Sequence, residues 1–255
     1  MKTRTDLAQQ MIAHEVKTSN AAPTHRAGWV ATAVAVLLVT AGCGGGSGSV
    51  KPQPQDPGTP APGIGSMVVQ ASAKGTDTSP GVFSTDFEAI LADTTGASIT
   101  GATVAITDDG GSVALVEDSG TPGTYRAMRA GLPSGTMTLD VVAGSIQLLG
   151  ATVSAPDLHV ITSHQANDMI QASHPVHIAW SRAAAATEAV IETKDYQGTP
   201  EADDGTKTIP TPGNPVRNDQ AFRVTRTNRA SVAGAAAGST FAASVRNSVE
   251  PIVAQ

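Results

Sequence analysis

Short runs in which apolar and polar residues alternate occupy most of the chain after residue 66. In one of these runs Phe87, Ala89 and Leu91 fall on one side, while Asp86 and Glu88 fall on the other. Successive side chains of a β-strand point to opposite faces, so this period of two predicts half-buried strands. The same alternation sets apart further apolar positions up to residue 157: Phe83, Ala102, Val104, Ile106, Val113, Leu115, Met137, Leu139, Val141, Ile146, Leu148 and Val153.

Turn-forming residues separate these runs about every ten residues, as in antiparallel sandwiches. Asp108, Asp109, Gly110 and Gly111 follow one another directly and are typical of a tight hairpin turn, in which glycine supplies a positive φ. We therefore predict an antiparallel β-sandwich over residues 66–157.

A second series of runs begins near Leu158 and predicts another small sandwich over residues 158–255. Residues 197–218 are rich in Pro, Gly, Asp and Thr, and we expect them to lie outside the core. Alanine is the best helix former, so residues 183–188 and 230–237 keep a helical alternative and the domain an α+β alternative. The strands are predicted around these apolar positions: Val176, Ile178, Trp180, Val190, Ile191, Phe222, Val224, Phe241 and Val245.

The N-terminal part has the organisation of an export signal. Residues 1–28 are polar, and residues 29–40 form a run of twelve apolar or small residues. A helix that crosses a bilayer needs about 20 such residues, whereas this length fits the apolar region of a signal peptide. Cys43, the only cysteine of the chain, follows this run after Ala41 and Gly42.

The end of the apolar run resembles the bacterial lipobox, in which small residues precede an invariant cysteine. The resemblance implies that signal peptidase II cuts before Cys43 and that Cys43 carries a diacylglyceryl group, with a further acyl chain such as palmitate on its amino group. Thr40 stands where leucine is usual, and the polar leader is long, so Met11 is an alternative start to Met1. A plain secretory signal and an uncleaved anchor helix remain the other interpretations, the second being too short.

Residues 43–65 are predicted to be the lipidated cysteine followed by a disordered tether. Residues 44–49 contain only glycine and serine and predict a flexible coil, while the proline-rich residues 52–63 predict a stiffer, extended one. Gly44 rather than aspartate follows Cys43. By resemblance to the sorting rule of Gram-negative lipoproteins, this implies the outer membrane of the cell envelope.

The two folded parts also resemble known families. Residues 96–104 and 120–125 are similar to bacterial immunoglobulin-like or transthyretin-like modules, in which a Gly-x-x-Val strand start precedes a Gly-x-Tyr strand. This resemblance implies a core or corner role for Tyr125. Residues 158–255 resemble a fibronectin type III domain, with Trp180 as its early buried tryptophan. The expected fold is therefore mainly β, with two immunoglobulin-like sandwiches.

Composition and charge exclude several classes of function. The formal net charge is −6, and residues 1–42 hold four cationic and two acidic side chains, so the remainder carries −8. An acidic body gives no electrostatic reason to bind nucleic acid. A single cysteine excludes an intramolecular disulfide and a CxxC metal site.

The side chains that could carry chemistry form no recognisable catalytic set. GxSxG, SxxK and nucleotide-binding glycine motifs are missing from the sequence after Cys43. His174 and His177, three residues apart, would face opposite ways on a strand, which disfavours a zinc or copper site. Three acidic pairs are more typical of turns than of calcium loops: Asp108 and Asp109, Glu117 and Asp118, and Asp203 and Asp204. Four arginines are more typical of a solvated strand face: Arg217, Arg223, Arg226 and Arg229.

The sequence thus predicts a lipid-anchored envelope lipoprotein that acts as a non-enzymatic binding or structural module. We expect no catalytic residue, no cofactor and no bound metal. The expected partners are the membrane, through lipid on Cys43, and a protein or glycan. An enzyme-accessory or metal-binding lipoprotein is the alternative.

Overall fold

Thirteen β-strands form the part of the chain that the computed structural model describes, which is residues 64–79 and 81–255. Two 3-10 helices, Ile64–Ser66 and Thr211–Gly213, accompany them. The fold is therefore mainly β, as predicted. The strands are β1 (Met67–Ser79), β2 (Val82–Asp93), β3 (Thr103–Asp108), β4 (Gly111–Glu117), β5 (Thr124–Ala130), β6 (Thr136–Ala143), β7 (Ile146–Ser154), β8 (Met169–Ile170), β9 (Val176–Ala179), β10 (Glu188–Glu192), β11 (Thr206–Ile209), β12 (Arg217–Ser231) and β13 (Thr240–Ala254).

The predicted signal peptide, Cys43 and the predicted tether up to residue 63 lie outside the described residues. The last two residues assigned to the tether, Ile64 and Gly65, belong to the first 3-10 helix. No helix within the described residues is long and apolar enough to cross a bilayer.

No α-helix occurs within residues 64–79 and 81–255, so the helical alternative for residues 183–188 and 230–237 is wrong. Glu188 begins β10, and Ala230 lies within β12. Gly234 and Gly238 have φ angles of +81° and +86° in the turn that joins β12 to β13. These glycines favour the left-handed backbone of a turn over helix propagation, which outweighs the helical propensity of the alanines.

One continuous sheet runs in the order β10-β12-β13-β1-β2-β5-β4-β3-β6-β7, and β8 pairs with β13 beside this path. The sheet curls between β5 and β4, where Val116 pairs with Arg126 and Glu117 with Tyr125. β3 and β4 form the predicted hairpin, with Asp108 opposite Gly111. Curling brings β3, β6 and β7 over β1, β2 and β5, and the inner faces enclose a first core.

The first core confirms the predicted alternation. Its buried side chains come from every second residue of the strands: Met67, Val69, Ala71 and Ala73; Phe87, Ala89 and Leu91; Val104 and Ile106; Met137, Leu139 and Val141. The alternation of apolar and polar residues decides which face each strand buries, because a shift by one residue would turn all the apolar side chains to solvent.

A second core lies beneath β9, β10 and β11 and the adjoining ends of β12 and β13. It contains Ile161, Val176, Ile178, Trp180, Ala189, Ile191, Ile209, Phe222, Val224 and Ile252, which confirms the predicted burial of Trp180. The expectation that residues 197–218 lie outside the core is wrong. They contain β11, which pairs with β9, and they bury Asp203, Ile209 and Asn214.

The hairpin of β12 and β13 takes part in both cores. Phe222 of β12 and Ile252 of β13 belong to the second core, whereas Phe241 and Ala243 of β13 belong to the first. β13 pairs in parallel with β1 from Thr240 to Arg246 and reaches β8 at Val253. The proposed boundary between residues 157 and 158 therefore remains a prediction, and these two long strands cross from one core to the other.

We expect the two cores to lose structure together, because β12 and β13 are common to both. Phe241→Ala removes a fully buried ring from the first core and should lower the free energy of unfolding by about 3–5 kcal/mol. Hydrogen exchange followed by mass spectrometry should then show faster exchange in β9 and β10 as well as in β1 and β2. Met128→Ala, at a side chain that is 71% exposed, serves as the control. Faster exchange confined to the first core would contradict this coupling.

Candidate functional site

Residues 157–164 lie along the inner face of β12 and bring polar side chains into the second core. The carbonyl oxygen of Asp157 accepts a hydrogen bond from Arg226, and the Nε2 atom of His159 lies 3.0 Å from the carbonyl oxygen of Val224. The ring of His164 packs edge-on against Phe222, with centroids 4.8 Å apart. Alternate inward residues of β12 thus each contact this segment.

A buried ion pair between Arg226 and Asp203 is the centre of this arrangement. The Nε atom of Arg226 donates to Asp203 over 2.8 Å, and the two side chains are 1% and 0% exposed. Trp180 donates its indole N–H to the same carboxylate over 3.0 Å, and the backbone N–H of Ala186 does so over 2.7 Å. Arg226 also donates to the carbonyl oxygens of Asp157 and Ala184.

The charges and hydrogen-bonding groups of Arg226 and Asp203 all have partners in and around the second core. Burial alone would raise the pKa of Asp203, but hydrogen bonds from Ala186, Arg226 and Trp180 hold it below its ordinary value. The carboxylate is therefore ionised at neutral pH, and each guanidinium nitrogen of Arg226 has an acceptor. The group is built to fix the connections around β12 rather than to react.

His159 lies in the same buried region and is fully enclosed. Its carbonyl oxygen accepts a hydrogen bond from the amide of Asn247 over 2.7 Å. Its Nδ1 atom has no hydrogen-bond partner within the described part of the chain. Burial, and then the positive charge of Arg226, lower the pKa of His159 to about 4. The imidazole is therefore neutral over most of the physiological range.

Three other histidines line one surface cavity of about 420 Å³. His174 lies in the turn before β9, so the expectation that His174 and His177 face opposite ways on one strand does not apply to them. His164 joins them from the segment that covers β12. The cavity is lined by Ser163, His164, Ile170, Gln171, His174, Pro175, Val176 and His177.

Two of these imidazoles are held from the Nδ1 side. His164 Nδ1 lies 2.8 Å from the hydroxyl of Ser163, and His174 Nδ1 lies 3.0 Å from the carbonyl oxygen of Ala172. Burial lowers the pKa of His164, with a contribution from nearby His177. Within the described residues, no three His, Cys, Asp or Glu side chains are grouped so that they could hold a metal ion. The absence of a metal site stays a prediction.

The predicted solvated arginine face is wrong for Arg226, and the other three arginines each meet a carboxylate. Arg217 contacts Asp195 and Asp219 over 2.7 Å, Arg229 contacts Glu188 over 2.9 Å, and Arg223 lies 3.7 Å from Glu250. Arg226 is buried because its position on β12 points inward, in step with Phe222 and Val224.

The acidic pairs of the first core are occupied by contacts within the chain. Asp108 receives two hydrogen bonds from Arg129, and further ones from the backbone of Gly110 and Ser134. Glu117 accepts the backbone N–H groups of Gly101 and Gly123. These contacts favour the interpretation as turns.

Tyr125 occupies the core position that its resemblance implied, with 1% of its surface exposed. Its hydroxyl donates to the carbonyl oxygen of Ile99 over 3.0 Å and accepts the N–H of Ala102 over 2.9 Å. The ring thereby fixes the connection between β2 and β3 to the inner face of the sheet.

Comparisons with known proteins give little further guidance. No family model matches the chain. No curated protein matches it either. Among solved structures, it is similar to the adhesin InvE of Yersinia pseudotuberculosis, with 16% identity and a TM-score of 0.24. The match covers 74% of this chain and 61% of that one, so this chain spans less than two thirds of that structure. At this TM-score the likeness supports no conclusion.

We expect Asp203→Asn to lower the free energy of unfolding by about 3–5 kcal/mol, because it leaves the charge of Arg226 buried without a counterion. Glu188→Gln is the matched control, since the pair of Glu188 with Arg229 is partly exposed and such pairs contribute about 0–1 kcal/mol. Urea denaturation measures both variants. Equal midpoints for the two would show that the buried pair is not a principal contact.

Stability should also fall as the pH drops from 6.5 to about 4. An unfolded chain takes up a proton on His159 near pH 6.5, whereas the folded chain does so only near its pKa of about 4. The contribution of neutral His159 to the free energy of unfolding is thus complete above pH 6.5 and is lost on acidification. It amounts to about 3 kcal/mol at 1.36 kcal/mol per pKa unit.

Urea midpoints measured between pH 7 and 4 test this dependence. His159→Gln should flatten the fall, because the amide does not titrate and can still donate to Val224. His177→Gln, at an exposed histidine outside the second core, is the control for the loss of a histidine as such. An unchanged slope in His159→Gln would contradict the assignment.

Proposed function

We propose that this protein is a lipid-anchored module of a bacterial cell envelope that binds or supports another envelope component and has no catalytic activity of its own. The observation that carries this proposal is the position of Cys43. The only cysteine follows a run of twelve apolar or small residues and precedes a Gly-, Ser- and Pro-rich segment that leads to the β-rich body. A lipid anchor needs both neighbours, because the first directs export and the second acts as a spacer.

We infer outer-membrane localisation from Gly44, and an immunoglobulin-like sandwich from the strand order of the first core. There the continuous sheet runs β1-β2-β5-β4-β3-β6-β7 and its strands bury their inner faces in one common core. Two packed layers of antiparallel strands are typical of immunoglobulin-like domains, which present loops and faces to partners. A fibronectin type III-like second domain, as the resemblance of residues 158–255 suggests, belongs to the same proposal.

A non-catalytic role is favoured by how the ionisable groups of the second core are used. Asp203 and Arg226 neutralise each other below the surface, and His159 is fully enclosed beside them. None of the three reaches a surface where a substrate could bind. On the outer face of β12, β13, β1 and β2, short half-buried side chains such as Ser72, Ala242 and Ser244 line a surface cavity of about 270 Å³, and a depression of this kind suits contact with another macromolecule.

We expect radiolabelled palmitate to be incorporated into the chain in cells and to be lost in Cys43→Ser, because the thiol is the acceptor of the diacylglyceryl group. The labelled chain should also be smaller than its precursor and should fractionate with membranes. Thr40→Leu restores the residue that is usual in the lipobox, and its processing should be at least as complete as that of the parent.

Two results would contradict the anchor. Palmitate that persists in Cys43→Ser would place the lipid elsewhere. A parent chain that is cut, unlabelled and released into the soluble fraction would favour a plain secretory signal.

A further inference from the structure

Met67, near the start of the described body, and the second core lie at opposite ends of the hairpin of β12 and β13. We propose that the first core acts as a stalk and that the second core, with its histidine-lined cavity, is the part displayed away from the anchoring membrane. This inference rests on the proposed function, because it needs the chain to be tethered through Cys43.

The end at which the tether joins is fixed by contacts around Met67. The backbone N–H of Ala236, in the turn between β12 and β13, donates to the carbonyl oxygen of Met67 over 2.8 Å. The hydroxyl of Ser239, at the same turn, accepts the N–H of Val69 over 3.0 Å. The turn of the long hairpin therefore lies beside the point where the body begins.

The direction of β13 places the second core at the far end. β1 and β13 are parallel, with Gln70 opposite Thr240 and Thr76 opposite Arg246. β13 then continues to Ile252, which is buried in the second core, whereas Phe241 is buried in the first. At about 3.3 Å per residue, these two side chains are about 35 Å apart along the strand.

The predicted tether does not remove this polarity. Twenty residues separate Cys43 from Ile64, so residue 64 can lie no farther from the bilayer than those residues reach. The second core lies about 35 Å farther along β13 and is under no such limit. The end at which the body begins therefore stays nearer the bilayer on average, since the membrane excludes the body from one side.

Charge and exposure also differ between the two halves of the body. Residues 66–157 contain ten acidic and three cationic side chains, whereas residues 158–255 contain nine acidic and eight cationic ones and are close to neutral. Two exposed apolar side chains, Met169 and Val216, lie near the far ends of β13 and β12 and are 67% and 72% exposed. A partner that approaches from the side away from the membrane would thus meet this nearly neutral end first.

Energy transfer to the membrane surface tests the proposal on the full lipidated chain in vesicles that contain acceptor-labelled lipid headgroups. Ala237→Cys places a fluorophore at the hairpin turn, and Val216→Cys places one at the far end of β12; both positions are exposed. The acylated thiol of Cys43 does not react, so each chain is labelled once. We expect transfer from the Ala237→Cys site to be at least twofold more efficient than from the Val216→Cys site.

Flotation of the same vesicles distinguishes the two proposals. If the chain floats with the vesicles but the two sites transfer equally, or the order is reversed, the display proposal is wrong and the anchor stands. If the parent chain does not float, both proposals fail. Cys43→Ser should not float, and its failure to do so shows that binding depends on the lipid.

Discussion

The hydrogen-bonded hairpin of β12 and β13 is the constraint on which the rest of the body depends. Each strand has 15 residues, which is long for a globular protein, and pairing continues from Arg217 opposite Ala254 to Ser231 opposite Thr240. One end of this ladder is covered by β1 and the first core, and the other by β10, β8 and the second core. Two small cores poor in aromatic residues would each be marginal alone, because small domains bury a smaller fraction of their surface. A hairpin common to both lets each core support the strands that the other needs.

The polar centre of the second core connects the loops that surround that core. Arg226 projects from the hairpin and is bonded to three separate connections: Asp157 in the link between the cores, Ala184 in the loop before β10, and Asp203 in the loop before β11. A buried ion pair is expensive to desolvate, so its net contribution to stability is small when it is complete. We infer that the pair contributes to specificity, since this arrangement of the loops satisfies both charges and the indole N–H of Trp180. The neutral His159 next to Arg226 fits the same logic, because a second positive charge there would oppose the first.

Much of this fold could be predicted from period-two alternation, and what could not has a physical reason. Alternation identifies which residues of a strand are inward, and it was right for Leu139, Ile178 and Phe241 because each strand has one buried face. It does not say which strands are neighbours, so the parallel pairing of β1 with β13, about 170 residues apart, was not foreseen. Composition failed for residues 197–218, since a polar segment can be buried when its charge is neutralised. The one available signal was the inward phase of Arg226, two residues after Val224 and four after Phe222.

The candidate site shows the same division between local pattern and tertiary contact. Four histidines lie within 19 residues, yet the structure separates them: His159 is sealed in the core, and the others line a surface cavity. Spacing alone suggested that His174 and His177 diverge, but spacing applies only while both residues are on one strand, and a turn with Ser173 at a φ of +57° intervenes. The proposed export signal differs in this respect, because such a signal depends on linear order and not on folding. The pattern around Cys43 can therefore be recognised in the sequence, whereas the display of the second core that we propose depends on where β13 ends.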